Sequence, residues 1–181
     1  SQGFRNFIVP VGGSATNDGG AGILQSLGVS LKNKSGKEIG YGANELLSLK
    51  SIDISGLDER MKDATIMVAC DVNNPLCGPR GASAIYGPQK GATFQQVNIL
   101  DDALLHFSEI IKKDLGKDVA DIPGAGASGG IGAGLMAFFN SELRLGSDIV
   151  MELLQIEKHI TDSDLIIVGE GQVDRSSVFN K

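Results

Sequence analysis

Three short runs, residues 7–11, 65–70 and 165–168, are apolar almost without interruption and lack the in-out alternation of half-exposed strands. That pattern predicts strands of a parallel sheet, buried on both faces. Each run ends in a small or acidic polar loop: residues 12–22, 71–75 and 169–174. Open parallel sheets collect ligands at the carboxyl ends of their strands, so the three loops are expected to converge. Between the strands the period changes to that of helices. Residues 23–28 form a short helical pattern, and Leu100, Ala103, Leu104, Phe107, Ile110, Ile111 and Leu115 share one face of a helix that Gly116 ends. Residues 131–143 are apolar nearly all round and predict a buried helix, entered through the glycine-rich residues 123–130. A further helix over 148–158 would place Ile149, Leu153 and Ile156 on one side. Residues 32–51, polar with Gly36, Gly40 and Gly42, read as a loop or hairpin. No internal repeat or interdomain linker interrupts the pattern.

Composition narrows the class. With 181 residues, 41% hydrophobic and 21% charged, the chain is globular and long enough to bury a core. Its formal charge of −6 and the lack of a Lys/Arg cluster remove the electrostatic basis for nucleic-acid binding. Cys70 and Cys77 form neither a CxxC pair nor a zinc pattern and read as reduced thiols. No apolar run approaches the ~20 residues that span a bilayer, and no charged-then-apolar leader opens the sequence, so no membrane partner and a cytoplasmic location are the expectations. Ser1 stands without a methionine, and Lys181 follows a polar turn where a helix is expected; both ends read as those of a fragment.

The candidate chemistry lies in the loops. Residues 12–22 contain Gly12, Gly13, Gly19, Gly20 and Gly22 with Ser14, Thr16, Asn17 and Asp18 between them. Glycine lets backbone approach a ligand closely, and N–H groups at a strand-to-helix turn suit an anion. Asp18 has two readings there, because a carboxylate that caps a helix would repel a phosphate at the same place. It is either a cap or a group facing a hydroxyl or Mg²⁺. Residues 124–129 match GxGxxG in part, yet no strand precedes them, which leaves tight packing of a buried helix and an anion cradle as alternatives. No Walker A pattern occurs, so a phosphate needs another cation; Lys90, between Gly87-Pro88 and Gly91, is the first candidate and Arg80 the second. Asp71, Glu170 and Asp174 follow the other two strands and could supply a base or magnesium ligands. His106 and His159 lie in helical patterns and read as surface or structural residues, and no nucleophile elbow is present.

Taken together, residues 12–22 closely resemble the signature of the bacterial type-1 glycerate kinases. The likeness continues in order through residues 53–58, 69–76, 87–92, 123–130 and 169–174, so it covers the whole chain. One departure stands out, Phe179-Asn180-Lys181 where that family usually has a Gly-Lys pair. The resemblance implies an α/β fold: the partial chain of a two-domain kinase, with parallel strands ending in Gly-rich and acidic loops. Residues 1–163 would be a central α/β portion and 164–181 the strand and loop leading into a Rossmann-like domain. It further implies ATP-dependent phosphorylation of D-glycerate with Mg²⁺, giving 2-phosphoglycerate or 3-phosphoglycerate, and an inactive chain when residues 1–181 stand alone.

Joining that reaction to the local chemistry gives the roles. Lys90 is assigned to phosphate charge, Asp71 to base or metal ligand, and Asp18 to positioning within the catalytic group. Ser14, Asn17 and Asn74 are assigned to the substrate, and Gly12, Gly13, Ser128, Gly129 and Gly130 to phosphate or nucleotide. Glu170 and Asp174 follow as second choices for the nucleotide. The partner is a small molecule, with a homo-oligomer left open. Two rivals remain at this point: a nucleotide-binding oxidoreductase domain and a non-catalytic binding module for small acids.

Overall fold

The computed structural model describes residues 2–167 together with Gly169. Strands β1 (Asn6–Pro10), β4 (Thr65–Ala69) and β5 (Asn140–Arg144) form a parallel sheet in the order β1-β4-β5. Registers run Asn6 to Thr65 and Thr65 to Asn140. A second sheet pairs β2 (Ser30–Asn33) with β3 (Leu49–Asp53) in antiparallel fashion, so residues 32–51 do close a hairpin. The short helix α2 (Ala43–Leu46) sits between its strands.

Around the sheets lie α1 (Ala21–Ser26), α3 (Ala82–Tyr86), the long α4 (Phe94–Leu115), α5 (Ala127–Phe138), α6 (Gly146–Leu153) and α7 (Ile156–Ile160). Helix α4 organises the interior. Thr93 and Gln96 close a capping box at its start, and Gly116, at φ 70°, accepts the left-handed turn that ends it. Leu104, Phe107 and Ile111 on its inner face are fully buried with Leu31, Leu46 and Leu49 of the hairpin region. Its polar side chains also cover the hairpin edge. Asp114 Oδ2 accepts from the Ile52 N–H at 2.8 Å, and His106 Nε2 lies 2.7 Å from the Leu49 carbonyl oxygen, which occupies backbone groups of β3. His106 is therefore structural, as expected.

Four expectations need correction. Strand β1 is parallel but not buried: among the described residues it is one of the two sheet edges, and Phe7 and Ile8 remain exposed. The helix expected over 131–143 stops at Phe138, and the chain turns into β5, whose polar sequence Asn-Ser-Glu-Leu-Arg hid it. The helix expected over 148–158 breaks at Gln155, which has φ 51°; Leu153 is exposed, and Ile149 alone of the three apolar positions is fully buried. Leu165, Ile166 and Ile167 form no strand and are exposed, while Val168 of the same run lies outside the described residues. No described helix is long and apolar enough to cross a membrane.

Candidate active site

The loop leaving β1 folds over the carboxyl end of the sheet. Asp18 organises its second half: Oδ1 accepts from Thr16 Oγ1 at 2.6 Å and from the Gly20 N–H at 3.0 Å, and Oδ2 accepts from the Gly22 N–H at 3.2 Å. These bonds satisfy N–H groups that open α1, so of the two readings for Asp18 its hydrogen bonds match the cap. Asn17 points the other way and donates through Nδ2 to Ser83 Oγ of α3 at 2.9 Å.

Lys90 reaches the same loop from the opposite side of the sequence. A 3₁₀ turn over Pro88–Lys90, bounded by Gly87 and Gly91, presents its side chain. The ammonium donates to the Thr16 carbonyl at 2.7 Å and to Ser14 Oγ at 3.2 Å. Partial burial pulls the Lys90 pKa below its ordinary 10.5, and the charge of Asp18 opposes that shift. A cavity of about 400 Å³ opens here. One wall is polar, with Thr16, Asn17, Asp18 and Lys90; the other carries Ile99 and Leu100 of α4. Such a cavity can hold a small anion with polar substituents, its charge on Lys90 and its remaining groups on the loop.

The second glycine-rich segment supports this loop from beneath. Ser128, Gly129 and Gly130 all have positive φ, at 53°, 67° and 92°, and form a left-handed entry to α5. At Gly129 the need for glycine is twofold. An added Cβ would stand 2.1 Å from the Thr16 carbonyl oxygen and 2.6 Å from Asn17 Cα, and an L side chain is strained at that φ. The Gly19 N–H also donates to the Gly129 carbonyl at 3.0 Å. Gly12 and Gly13, by contrast, are exposed with open space where a Cβ would stand.

Asp71 and Asn74 follow β4 and take a different direction. Asp71 Oδ1 accepts from the Gly146 N–H at 2.8 Å, at the start of α6, and Asp71 does not line the Lys90 cavity. Asn74 accepts from the Tyr86 hydroxyl at 2.6 Å and donates to the Arg80 carbonyl at 2.8 Å, so both ends of its amide serve the local fold. Among the described residues no three acidic, histidine or cysteine side chains gather as a metal cluster. Cys70 and Cys77 are free thiols. Burial pushes Cys77 up to about 11, which makes it a poor nucleophile at neutral pH.

A family model for the glycerate kinase family matches residues 1–181. The chain belongs to this family. It is 55% identical over 180 residues to glycerate 2-kinase of Escherichia coli K12, covering 99% of this chain and 47% of that relative. Glycerate kinase of Bacillus subtilis is 48% identical over 179 residues with the same coverage. A crystal structure assigned to glycerate kinase 2 of Salmonella typhimurium LT2 superposes with a TM-score of 0.88 at 50% identity. That superposition covers 95% of this chain and 47% of the other. The chain thus spans about half the length of the curated relatives it matches.

Within this glycerate kinase fold, the residues singled out from the sequence fall into two groups. Asn17, Asp18 and Lys90 line the cavity and Ser14 meets Lys90 beside it, with Gly129 and Gly130 packed under the loop; Asp71 and Asn74 stand apart from it. Glu170 and Asp174, with all of the 169–174 loop except Gly169, lie outside the described residues. Sequence reasoning missed the far wall at Gly42, Asn44, Gln96 and Ile99, and it missed Ser83. Nothing in the local pattern of Ala82-Ser83-Ala84 marks Ser83, since its partner is 66 positions away.

Proposed function

We propose that this chain carries one wall of a D-glycerate kinase site, at which a hydroxyl of D-glycerate attacks the γ-phosphorus of ATP in line and ADP departs. One observation supports this reading above the others: residues separated by 74 and 76 positions bring the Lys90 ammonium onto the Thr16 carbonyl and Ser14 hydroxyl, beside a small cavity. Phosphoryl transfer needs positioning and charge neutralisation more than covalent chemistry, and a partly buried ammonium serves both. Lys90 neutralises charge on the transferred group or on the glycerate carboxylate. Ser14 and Asn17 orient the substrate, and the open backbone of Gly12 and Gly13 suits close approach of phosphate. The name of the Escherichia coli relative, a glycerate 2-kinase, supports phosphorylation at the 2-position.

Magnesium fits one of the two aspartates better than the other. Both Asp18 oxygens accept from donors in their own loop, whereas Asp71 uses Oδ1 alone among the described residues and is exposed. A Mg²⁺ ion usually takes one or two protein carboxylates and completes its octahedron with phosphate and water, so Asp71 would suffice as a ligand. When bound, the ion would offset charge on the nucleotide phosphates. The alternative role for Asp71 is the base, since both Asp18 oxygens are already taken by donors of their own loop and an occupied carboxylate accepts a proton poorly.

The test is an NMR assay of the whole protein with ATP, Mg²⁺ and D-glycerate. Glycerate-dependent ADP release with 2-phosphoglycerate as product is the expected outcome. Glycerate binding without ADP release would overturn the kinase reading in favour of a binding module.

A further inference from the structure

Two buried polar side chains stand out in the core, and they behave differently. Ser108 turns its hydroxyl onto its own helix, donating to the Leu105 carbonyl at 2.7 Å, an ordinary way to satisfy a buried serine. Ser83 is completely buried, yet its hydroxyl accepts from the Asn17 amide, 66 positions away in the loop that walls the cavity. That bond uses Asn17 Nδ2 and leaves Asn17 Oδ1 buried with no donor among the described residues. A buried carbonyl oxygen without a partner is a deficit that a ligand hydroxyl would relieve, and it accepts only from O–H or N–H groups.

We infer that Ser83 is a positioning residue for substrate selection: by holding Asn17 Nδ2 it keeps Asn17 Oδ1 as the acceptor for the hydroxyl of the substrate that does not receive phosphate. The inference rests on the kinase reading above. With the Lys90 ammonium on the same wall for a carboxylate or phosphate, the pair selects a hydroxy acid with a second hydroxyl over one that lacks it. Sites built to bond a hydroxyl reject the analogue without it far more strongly than apolar pockets reject a missing methylene.

The experiment compares kcat/KM of the whole protein for D-glycerate, D-lactate and 3-hydroxypropanoate, each analogue lacking one hydroxyl. The analogue that retains the phosphorylated hydroxyl reports on the one being read. Ser83→Ala is expected to lower kcat/KM for D-glycerate at least tenfold and its preference over that analogue at least tenfold, with KM for ATP unchanged. Asn17→Ala should do the same, and the double variant should lose nothing more, because Ser83 acts through Asn17. Ser83→Cys, close in volume and a weaker acceptor, should fall between wild type and Ser83→Ala, and it decides the matter if Ser83→Ala unfolds. An unchanged preference in the Ser83 variants, or losses that multiply in the double variant, would overturn the role of Ser83. Absence of glycerate turnover in the wild type would instead remove the kinase reading, and this inference with it.

Discussion

The two glycine-rich turns, residues 12–22 and 123–130, look alike as sequence and do opposite work. The first opens outward at its start: Gly12 and Gly13 have free space around them, and the Ser14 hydroxyl and Thr16 carbonyl meet one lysine, while Asp18 caps α1 and Asn17 reaches Ser83. The second closes inward. Gly126, Gly129 and Gly130 press their backbone against the loops that follow β4 and β1, at distances a Cβ would forbid. Glycine thus serves exposure at Gly12 and Gly13 and contact in the second turn, as it does at Gly19, where a Cβ would stand 2.6 Å from the Phe107 ring; the packed turn fixes the shape of the open one. Of the two alternatives drawn for residues 124–129, packing of a buried helix is the one this geometry exhibits.

Mutations should separate the two turns. The largest effect is expected from Lys90→Ala in the whole protein, a loss of about 100-fold or more in glycerate-dependent kcat/KM with the melting temperature nearly unchanged. Near-normal kinetics would take Lys90 out of the site. Next comes Gly129→Ala, where backbone strain and a collision with the Thr16 carbonyl should cost roughly 3 kcal/mol in denaturant unfolding and distort the first turn as well. A stability equal to wild type would mean that the second turn does not shape the first.

Smaller shifts test the details. Asp18→Ala removes three accepted bonds at the start of α1 and should cost about 1 kcal/mol, read by thermal melting. For pH, burial lowers the Lys90 pKa from 10.5, so the alkaline limb of kcat/KM should begin below pH 10.5, and Lys90→Arg should move it upward. The sign for stability is the reverse. Between the lowered folded value and 10.5 the unfolded chain holds more protons at this site, so the Lys90 contribution to stability improves as pH rises through that window. Last, Gly12→Ala should change stability by no more than about 0.5 kcal/mol, since nothing lies within 4 Å of its Cβ position. A large loss there would erase the contrast between the turns.

Much of this is legible in the sequence. The apolar runs at 7–11 and 65–70 are parallel partners in register, Phe7 against Ile66 and Val9 against Val68. The face of α4 and its stop at Gly116 follow from period and cap. Lys90 stands out in the sequence by its flanking Gly and Pro, and those residues form the turn that presents it. The failures have physical causes. Strand β5 is polar and short, and it is a strand because parallel pairing with β4 satisfies its backbone, which no local propensity records. Nor does any local pattern show where the Asp71 carboxylate turns: it accepts from the Gly146 N–H and lies outside the lining of the Lys90 cavity. The partners of Asn74, the Tyr86 hydroxyl and the Arg80 carbonyl, are likewise visible only in the fold.

By itself, then, the sequence determined the strand and helix types over most of the chain, the loops that carry polar chemistry and the family those loops belong to. These rest on short-range periodicity, turn chemistry and ordered motifs, all of which are local. Tertiary structure alone decided which loops meet: that Lys90 rests on Thr16, that Ser83 holds Asn17, and that Gly129 yields its Cβ space to the first turn. Those contacts join residues 66 to 113 positions apart, and their geometry is set by packing of helices against the sheets, which no window along the chain contains.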